Sequence, residues 1–303
     1  MKELSIIEHL ESLEQFKISC SQIGKIIGEG KAKSYKDKIL AQKALIQETE
    51  NKFSEMKDGK MKDKCALKIT SLQNKLIELQ NLELDEIDKP QLSETAKTYC
   101  ENWLKGRMYG IKKQIVSKYL EKGNREEGNA ILYCERVFEG SGGWFMAQKN
   151  TERRSNEWIE GECDLELTEE IVDIKNSFDF TTFPLFKKEI PDTDYEWQLN
   201  GYMWLWGKEK GRVIYCLMSL PEDMIIKECW KHFGYGVTYT DEEFVEFTAR
   251  FRYDDFPREL RIKEYRFDFD EKKIEQIIFK VGECRKYIAS LIEDMKNNLK
   301  EIF

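Results

Sequence analysis

The period of the apolar positions changes several times along this chain, and each change marks an element. RVIYCLMS (residues 212–219) is a nearly unbroken apolar run of strand length, the pattern of a central strand covered on both faces. ELRIKEYRFDFD (259–270) alternates instead, as an edge or half-exposed strand does. WIEGECDLELTEEIVDIKNS (158–177) reads as a β-hairpin. On its second strand Val172 and Ile174 point towards a core, while Asp173 and Lys175, two residues apart, share the opposite face. Residues 16–20 alternate as a further strand. Ser21 then suits a helix N-cap, Ile23, Ile26 and Ile27 form the stripe of a short helix, and Gly28 and Gly30 end it. Residues 144–150 predict one more strand.

Helical spacing governs the rest. A short amphipathic helix is expected before residue 16. Residues 31–86 contain no proline, and glycine only at Gly59. Ile39, Leu40, Leu45, Ile46, Phe53 and Met56 suit one helix and Met61, Cys65, Ile69, Leu72, Leu76 and Leu79 a second, with Asp58-Gly59 turning them into an antiparallel hairpin. Ser93 caps a helix through Tyr99, Trp103 and Leu104, and a second helical region covers residues 111–120. Gly123 is expected to break the chain, placing Glu126 and Glu127 in a first helical turn ahead of the stripe Ala130, Ile131 and Cys134. A helix beginning near Asp194 puts Gln198 and Tyr202, four apart, on one face; Trp204 and Trp206 read as core. Two further helices and a long one over Glu271–Ile302 follow, with no internal repeat. This order predicts an α/β (α+β) fold: a central mixed sheet flanked by helices, plus an N-terminal helical hairpin.

Composition narrows the chemistry. The 303 residues suffice for a full core, and 41% hydrophobic with 12% aromatic content is globular. Eight scattered cysteines without a Cys-x-x-Cys pair exclude a zinc ribbon and fit small buried residues in a reducing compartment. The start, MKELSIIEHLESLEQF, lacks a basic region followed by a long apolar core, and no apolar run approaches a membrane span, so a cytoplasmic protein is expected. His9 and His232 are the only histidines, which leaves catalysis to carboxylates and lysine. The net charge of −8 means that any polyanion must be met by a local basic path. Residues 31–82 hold 12 lysines against 7 acids, a local excess of five charges; that arm touches DNA, mediates oligomerisation, or is a solvated coiled-coil insertion.

Asp164, Asp173, Lys175 and Ser177 on the hairpin form either a solvated acidic turn or a metal-dependent hydrolytic site, in which carboxylates hold a hard cation and lysine places the attacking water. Lys17, Ser19 and Ser21 either surround an ordinary helix cap or bind a phosphate there. Glu127, or its neighbour Glu126, is a helix-dipole partner or a third acid of the site.

Taken together and in order, Glu127, Asp164, Asp173-Ile174-Lys175 and Gln198-Leu-Asn-Gly-Tyr202 resemble the PD-(D/E)XK nuclease superfamily in its Q-xxx-Y branch, which includes RecB-type domains. The phrases SKYLEKGNREEGNAI, GECDL, IVDIKNS, TFPLF, DYEWQLNGYMWL and FKISCSQIGKII are similar to YqaJ-like, lambda-exonuclease-like phage recombination exonucleases. The likeness covers about residues 95–290 and 16–29; residues 31–86 lie outside the family pattern.

This resemblance implies a restriction-endonuclease-like core over residues 89–303, with residues 1–30 as a strand–helix element packed on it and 31–88 as an insertion. It implies that Glu127, Asp164, Asp173 and the Ile174 carbonyl hold metal, two Mg²⁺ ions per site with Mn²⁺ able to substitute. Lys175 would orient water, and Gln198 and Tyr202 would hold the scissile strand or the water network. Gly161 would let the backbone approach the metal site closely. Asp173 stands where many relatives have Glu, and Lys17 where an arginine is usual, so a terminal phosphate would meet a point charge instead of a bidentate fork. Lys17, Ser19, Ser21, Arg153, Arg154, Lys187 and Lys188, with Arg258, Arg261, Lys263 and Arg266, are the candidate DNA contacts. The implied activity is 5′-to-3′ digestion of duplex DNA ends in phage recombination or replication. The implied partners are a single-strand annealing or recombinase protein and further copies of the chain in a trimer. A structure-specific or restriction-type endonuclease and a non-catalytic DNA-binding module are the competing readings.

Overall fold

A computed structural model describes residues 13, 15–87, 90–111, 114, 116–139, 144, 146–236, 238 and 240–302. The helix expected before residue 16 falls largely outside them. Residues 17–24 and 112–277 form one compact unit, and residues up to 16, 25–111 and 278 onwards form a second.

In chain order the elements are β1 (Ile18–Ser19), a 3₁₀ turn (Cys20–Gln22), α1 (Gly24–Ile27), α2 (Lys31–Glu55), α3 (Lys60–Ile87), α4 (Glu94–Tyr109) and α5 (Lys118–Val137). Four strands follow: β2 (Arg154–Ser155), β3 (Ile159–Gly161), β4 (Leu165–Glu166) and β5 (Glu170–Asn176). Then come α6 (Asp194–Trp206), β6 (Lys210–Cys216), α7 (Glu222–Phe233), α8 (Asp241–Ala249), β7 (Ile262–Asp268) and α9 (Glu271–Ile302). This is the mixed α/β fold that the hydrophobic pattern predicts. Among the described residues no helix is long and apolar enough to cross a membrane.

The first unit described, residues 17–24 and 112–277, is built on the sheet β4-β5-β6-β7. β5 and β6 run parallel, with Asp173 opposite Val213 and Lys175 opposite Tyr215, and the two outer pairs are antiparallel. Six of the seven residues of β6 are buried, as its apolar run predicts, and β7 is an edge. Val172 and Ile174 enter a core with Ala130, Ile131 and Cys134 of α5, Trp144, Leu165 and Ile214. The buried Arg212 of β6 bridges Glu170 of β5 and Glu264, 3.0 Å away on β7, and so fixes the register at the sheet end opposite Asn176. A second, small sheet, β1-β3-β2, pairs β1 parallel and β2 antiparallel with β3.

In the other unit α2 and α3 form the expected helical hairpin, turning at Gly59, where φ is +148°. Its seam is Ile39, Gln42, Ile46, Thr49 and Phe53 at alternating three- and four-residue steps. Gln42 and Thr49 belong in it because each side chain finds a carbonyl, Leu72 and Leu45 respectively, both at 2.8 Å. Leu40, Leu45 and Met61 are exposed, which corrects their assignment to the buried stripe.

The structure differs from four further expectations. Ser21 lies inside the 3₁₀ turn and does not cap a helix; the residue at the turn's cap is Ser19, without a side-chain capping bond. Residues 111, 114, 116 and 117 are not helical, because the Ser117 hydroxyl accepts from the Tyr119 N–H and starts α5 there; α5 then runs straight through Gly123. The described residues of 144–150 form no strand; Trp144 is buried through its ring and Asn150 bonds Asp164.

Candidate active site

Asp173 sits at the middle of β5 with a side chain only 1% exposed. Burying a carboxylate there is costly unless it is paired, and its partners come from two elements. Lys175 Nζ, on the same face of β5, lies 2.7 Å from Oδ2. Gln198 of α6 donates to Oδ1 at 3.0 Å and its amide lies 3.1 Å from the Tyr202 hydroxyl, one helical turn on. Asp164, just ahead of β4, accepts from the Ile174 N–H at 2.6 Å. The buried Asp173 and the half-buried Asp164 therefore face the Lys175 ammonium.

The electrostatics follow from that arrangement. Burial, then the neighbouring charge of Asp173, pushes the Asp164 carboxyl up to about 8, against the opposing pull of Lys175 and the Ile174 amide. Burial works against the Lys175 ammonium, but the carboxylates of Asp173 and Asp164 outweigh it and hold the lysine above its ordinary value. Tyr195 lies under this ammonium at 4.4 Å, a cation–π contact.

A cavity of about 590 Å³ brings Glu127, Asp164, Asp173, Lys175 and Gln198 together. Ser21, Asn176, Tyr195 and Tyr215 are also on its wall. Glu127 faces it, whereas Glu126 is engaged by Asn129 at 2.9 Å. Glu127 is itself bound by Lys149 at 2.6 Å. Tyr202 stands behind Gln198, which it meets across that hydrogen bond, and its ring is why residue 161 is glycine. A Cβ there would meet Tyr202 Cε1 at 2.7 Å and Cys20 Sγ at 2.8 Å. The close approach at Gly161 is thus to a ring and a sulfur.

The donor set offers a hard divalent cation oxygen ligands without histidine or cysteine, the preference of Mg²⁺. Asp173 Oδ2 is buried, and its partner is the Lys175 ammonium at 2.7 Å. Among the described residues no three His, Cys, Asp or Glu side chains stand close enough to hold one ion; Asp164 gives one carboxylate oxygen to the Ile174 amide, and Glu127 is paired with Lys149. The set fits an ion held by one or two carboxylates with water completing its shell.

The candidate DNA contacts divide. Ser21 reaches the cavity and bonds Ser19 at 3.3 Å, while Lys17 points to Ser155 at 3.5 Å. Arg153 is paired with Glu160 at 2.7 Å; Arg154 is paired with Glu152 at 2.9 Å and packs over Trp206 at 4.9 Å. Lys187 and Lys188 are exposed. Arg258 and Arg266 pair with Glu259 and Glu264, and Lys263 lies over Tyr265 at 5.8 Å. Arg261 is corrected: it is buried, and its guanidinium is consumed by the Leu217 and Asp254 carbonyls and the Asp254 carboxylate at 2.9 Å.

Lys149, Tyr195 and Asn176 were not foreseen. Tyr195 carried a signal, since it opens α6 three residues before Gln198, whereas Asn176, next to Lys175 at the end of β5, has the opposite strand parity and carried none. Lys149 lies in irregular chain and carried none.

No protein-family model matches this sequence, and no curated protein matches it. Among solved structures, the fold is shared with a phage-related exonuclease from Haemophilus somnus 129PT. The TM-score is 0.61 at 24% identity, over 94% of this chain and 99% of that one. A weaker likeness is to an alkaline exonuclease from Laribacter hongkongensis, with a TM-score of 0.48 at 13% identity over 70% and 88% of the two chains.

Proposed function

We propose that this chain is a Mg²⁺-dependent deoxyribonuclease that digests duplex DNA from 5′ ends, in phage recombination or replication. The observation that carries the reading is the single cavity in which Asp164, Asp173, Lys175, Gln198 and Glu127 meet. The resemblance to lambda-exonuclease-like enzymes supports it, and the shared fold with a phage-related exonuclease supports it by analogy. Duplex DNA is the proposed substrate, Mn²⁺ the alternative metal, and an annealing protein and a homotrimer the proposed partners.

Asp164 and Asp173 would hold the metal, with Glu127 at the edge of the site once it parts from Lys149. When bound, Mg²⁺ activates water and neutralises charge on the phosphate. Lys175, kept cationic by the two acids, is placed to hold the attacking water and to offset charge growing on the phosphoryl oxygens. Gln198 fixes Asp173 in rotation, and Tyr202 fixes Gln198.

Linear duplex is expected to shorten in Mg²⁺ while covalently closed circular DNA stays intact. Nicking of the circle would replace the exonuclease by an endonuclease on the same core. Intact linear DNA with both Mg²⁺ and Mn²⁺ would leave the non-catalytic module.

Proton linkage gives an independent check. The Asp164 carboxyl is raised from the ordinary carboxylate value of 3.8 to about 8 in the metal-free fold. Its protonated form therefore contributes stability that is complete below the unfolded value and is lost as pH rises to 8. The metal-free melting midpoint is expected to drop across that window through this group. Added Mg²⁺ should raise the midpoint more at pH 8 than at pH 5, because it replaces the lost proton. Equal shifts at both pH values would remove Asp164 from the metal site.

A further inference from the structure

Beside the catalytic cavity lies an apolar hollow of about 650 Å³ that the chemistry above does not use. Thr182 is on the wall of both. Much of the hollow is formed by the loop joining β5, which carries Lys175, to α6, which carries Gln198. Phe180, Phe186 and Phe256 present their rings here, and Phe186 is 92% exposed.

The Phe180 ring projects from a pinned frame. Asp179 Oδ1 accepts from the Thr181 and Thr182 amides at 3.0 and 3.1 Å and from the Thr181 hydroxyl at 2.6 Å. The Phe180 N–H donates to the Tyr253 hydroxyl at 3.1 Å, and that hydroxyl donates to the Arg250 carbonyl. Exposed aromatic surface held in place in this way, next to a reactive cleft, marks a ligand site. Lys187 and Arg250 line the hollow, and among the described residues no acid does. Its ligand therefore combines flat apolar bodies with negative charge.

We propose that the hollow receives unpaired bases of a DNA strand end, stacked on Phe180, Phe186 and Phe256, with Lys187 and Arg250 meeting the phosphates between them. The proposal rests on the nuclease reading and narrows its substrate. In a paired duplex the base faces are covered by their neighbours, so the site selects ends that are frayed or carry an overhang. Stacking on an aromatic ring tolerates any base, which suits an enzyme that advances through arbitrary sequence.

The test is DNA binding by the full chain with Ca²⁺ replacing Mg²⁺, using 2-aminopurine either in a short single-stranded overhang or inside a blunt duplex. The wild-type protein is expected to quench the overhang probe. Phe186→Ala and Phe256→Ala should each weaken overhang binding by about tenfold and leave blunt duplex unaffected, and Phe186→Trp should restore it. Overhang binding and quenching by both alanine variants at wild-type strength, in a protein that binds and cuts DNA, would overturn the stacking site and leave the hollow as a protein-docking surface. Failure of the wild type to bind either DNA would instead bring down the nuclease reading, and this site with it.

Discussion

Digestion of linear duplex in Mg²⁺ is expected to slow by about 10²–10³-fold when Lys175 is changed to alanine, the scale on which removing one preorganised charge from a buried site acts. Among the described residues Lys175 is the one ammonium in ionic contact with buried Asp173, and no neighbouring side chain on β5 can replace it. Asp173→Asn is expected to cost at least as much. The asparagine oxygen still accepts from Gln198, so the geometry is kept, while the charge that holds both the metal and Lys175 is gone. Initial rates on end-labelled duplex, with melting midpoints measured in the same buffer, separate lost chemistry from lost fold. Unchanged rates in both variants would dissolve the site.

These two residues were the most legible part of the sequence, because strand periodicity alone puts them on one face of β5. Gln198 and Tyr202 were legible for the same reason at helical spacing. What the sequence hid was the set of partners that decide whether a charge is available. Arg154 and Arg261 have the alternating context of solvent-facing cations, yet Glu152 lies two residues from the first and Asp254 seven residues from the second, and both are brought round by turns. Gly123 misled for an energetic reason. A glycine inside a helix costs about 1 kcal/mol, which the burial of Ala130, Ile131 and Cys134 on the same helix outweighs. Trp144 misled because an apolar residue can be buried through its ring alone, without a partner strand.

Lys122, four residues before Glu126 on α5, was not singled out at all, and its replacement carries the largest expected loss of stability. The side chain is fully buried and its ammonium donates to the carbonyls of Ser177 at 2.6 Å, Phe178 at 3.0 Å and Met218 at 2.5 Å. The first two lie just past β5 and the third just past β6, where the parallel strands diverge and their ladder no longer supplies donors. Burial pulls its pKa down to about 8, with Glu126 and Asp179 opposing, so the group is still protonated at neutral pH. All three N–H bonds then have an acceptor, the arrangement that makes a buried cation tolerable. Lys122→Met keeps the stem and leaves three buried carbonyls without this donor, at roughly 1–3 kcal/mol each before water or relaxation recovers part of it. A net loss of about 4 kcal/mol corresponds to a melting midpoint lower by roughly 10 °C for a unit of this size. Because α5 also carries Glu127, loosening this clamp should reduce activity even where the protein remains folded. Arg125→Ala on the same helix, which breaks only exposed ion pairs, with Asp223 and Glu121, is the control expected to change little. Equal midpoints for the two variants would show that the three-carbonyl clamp contributes no more than a surface ion pair.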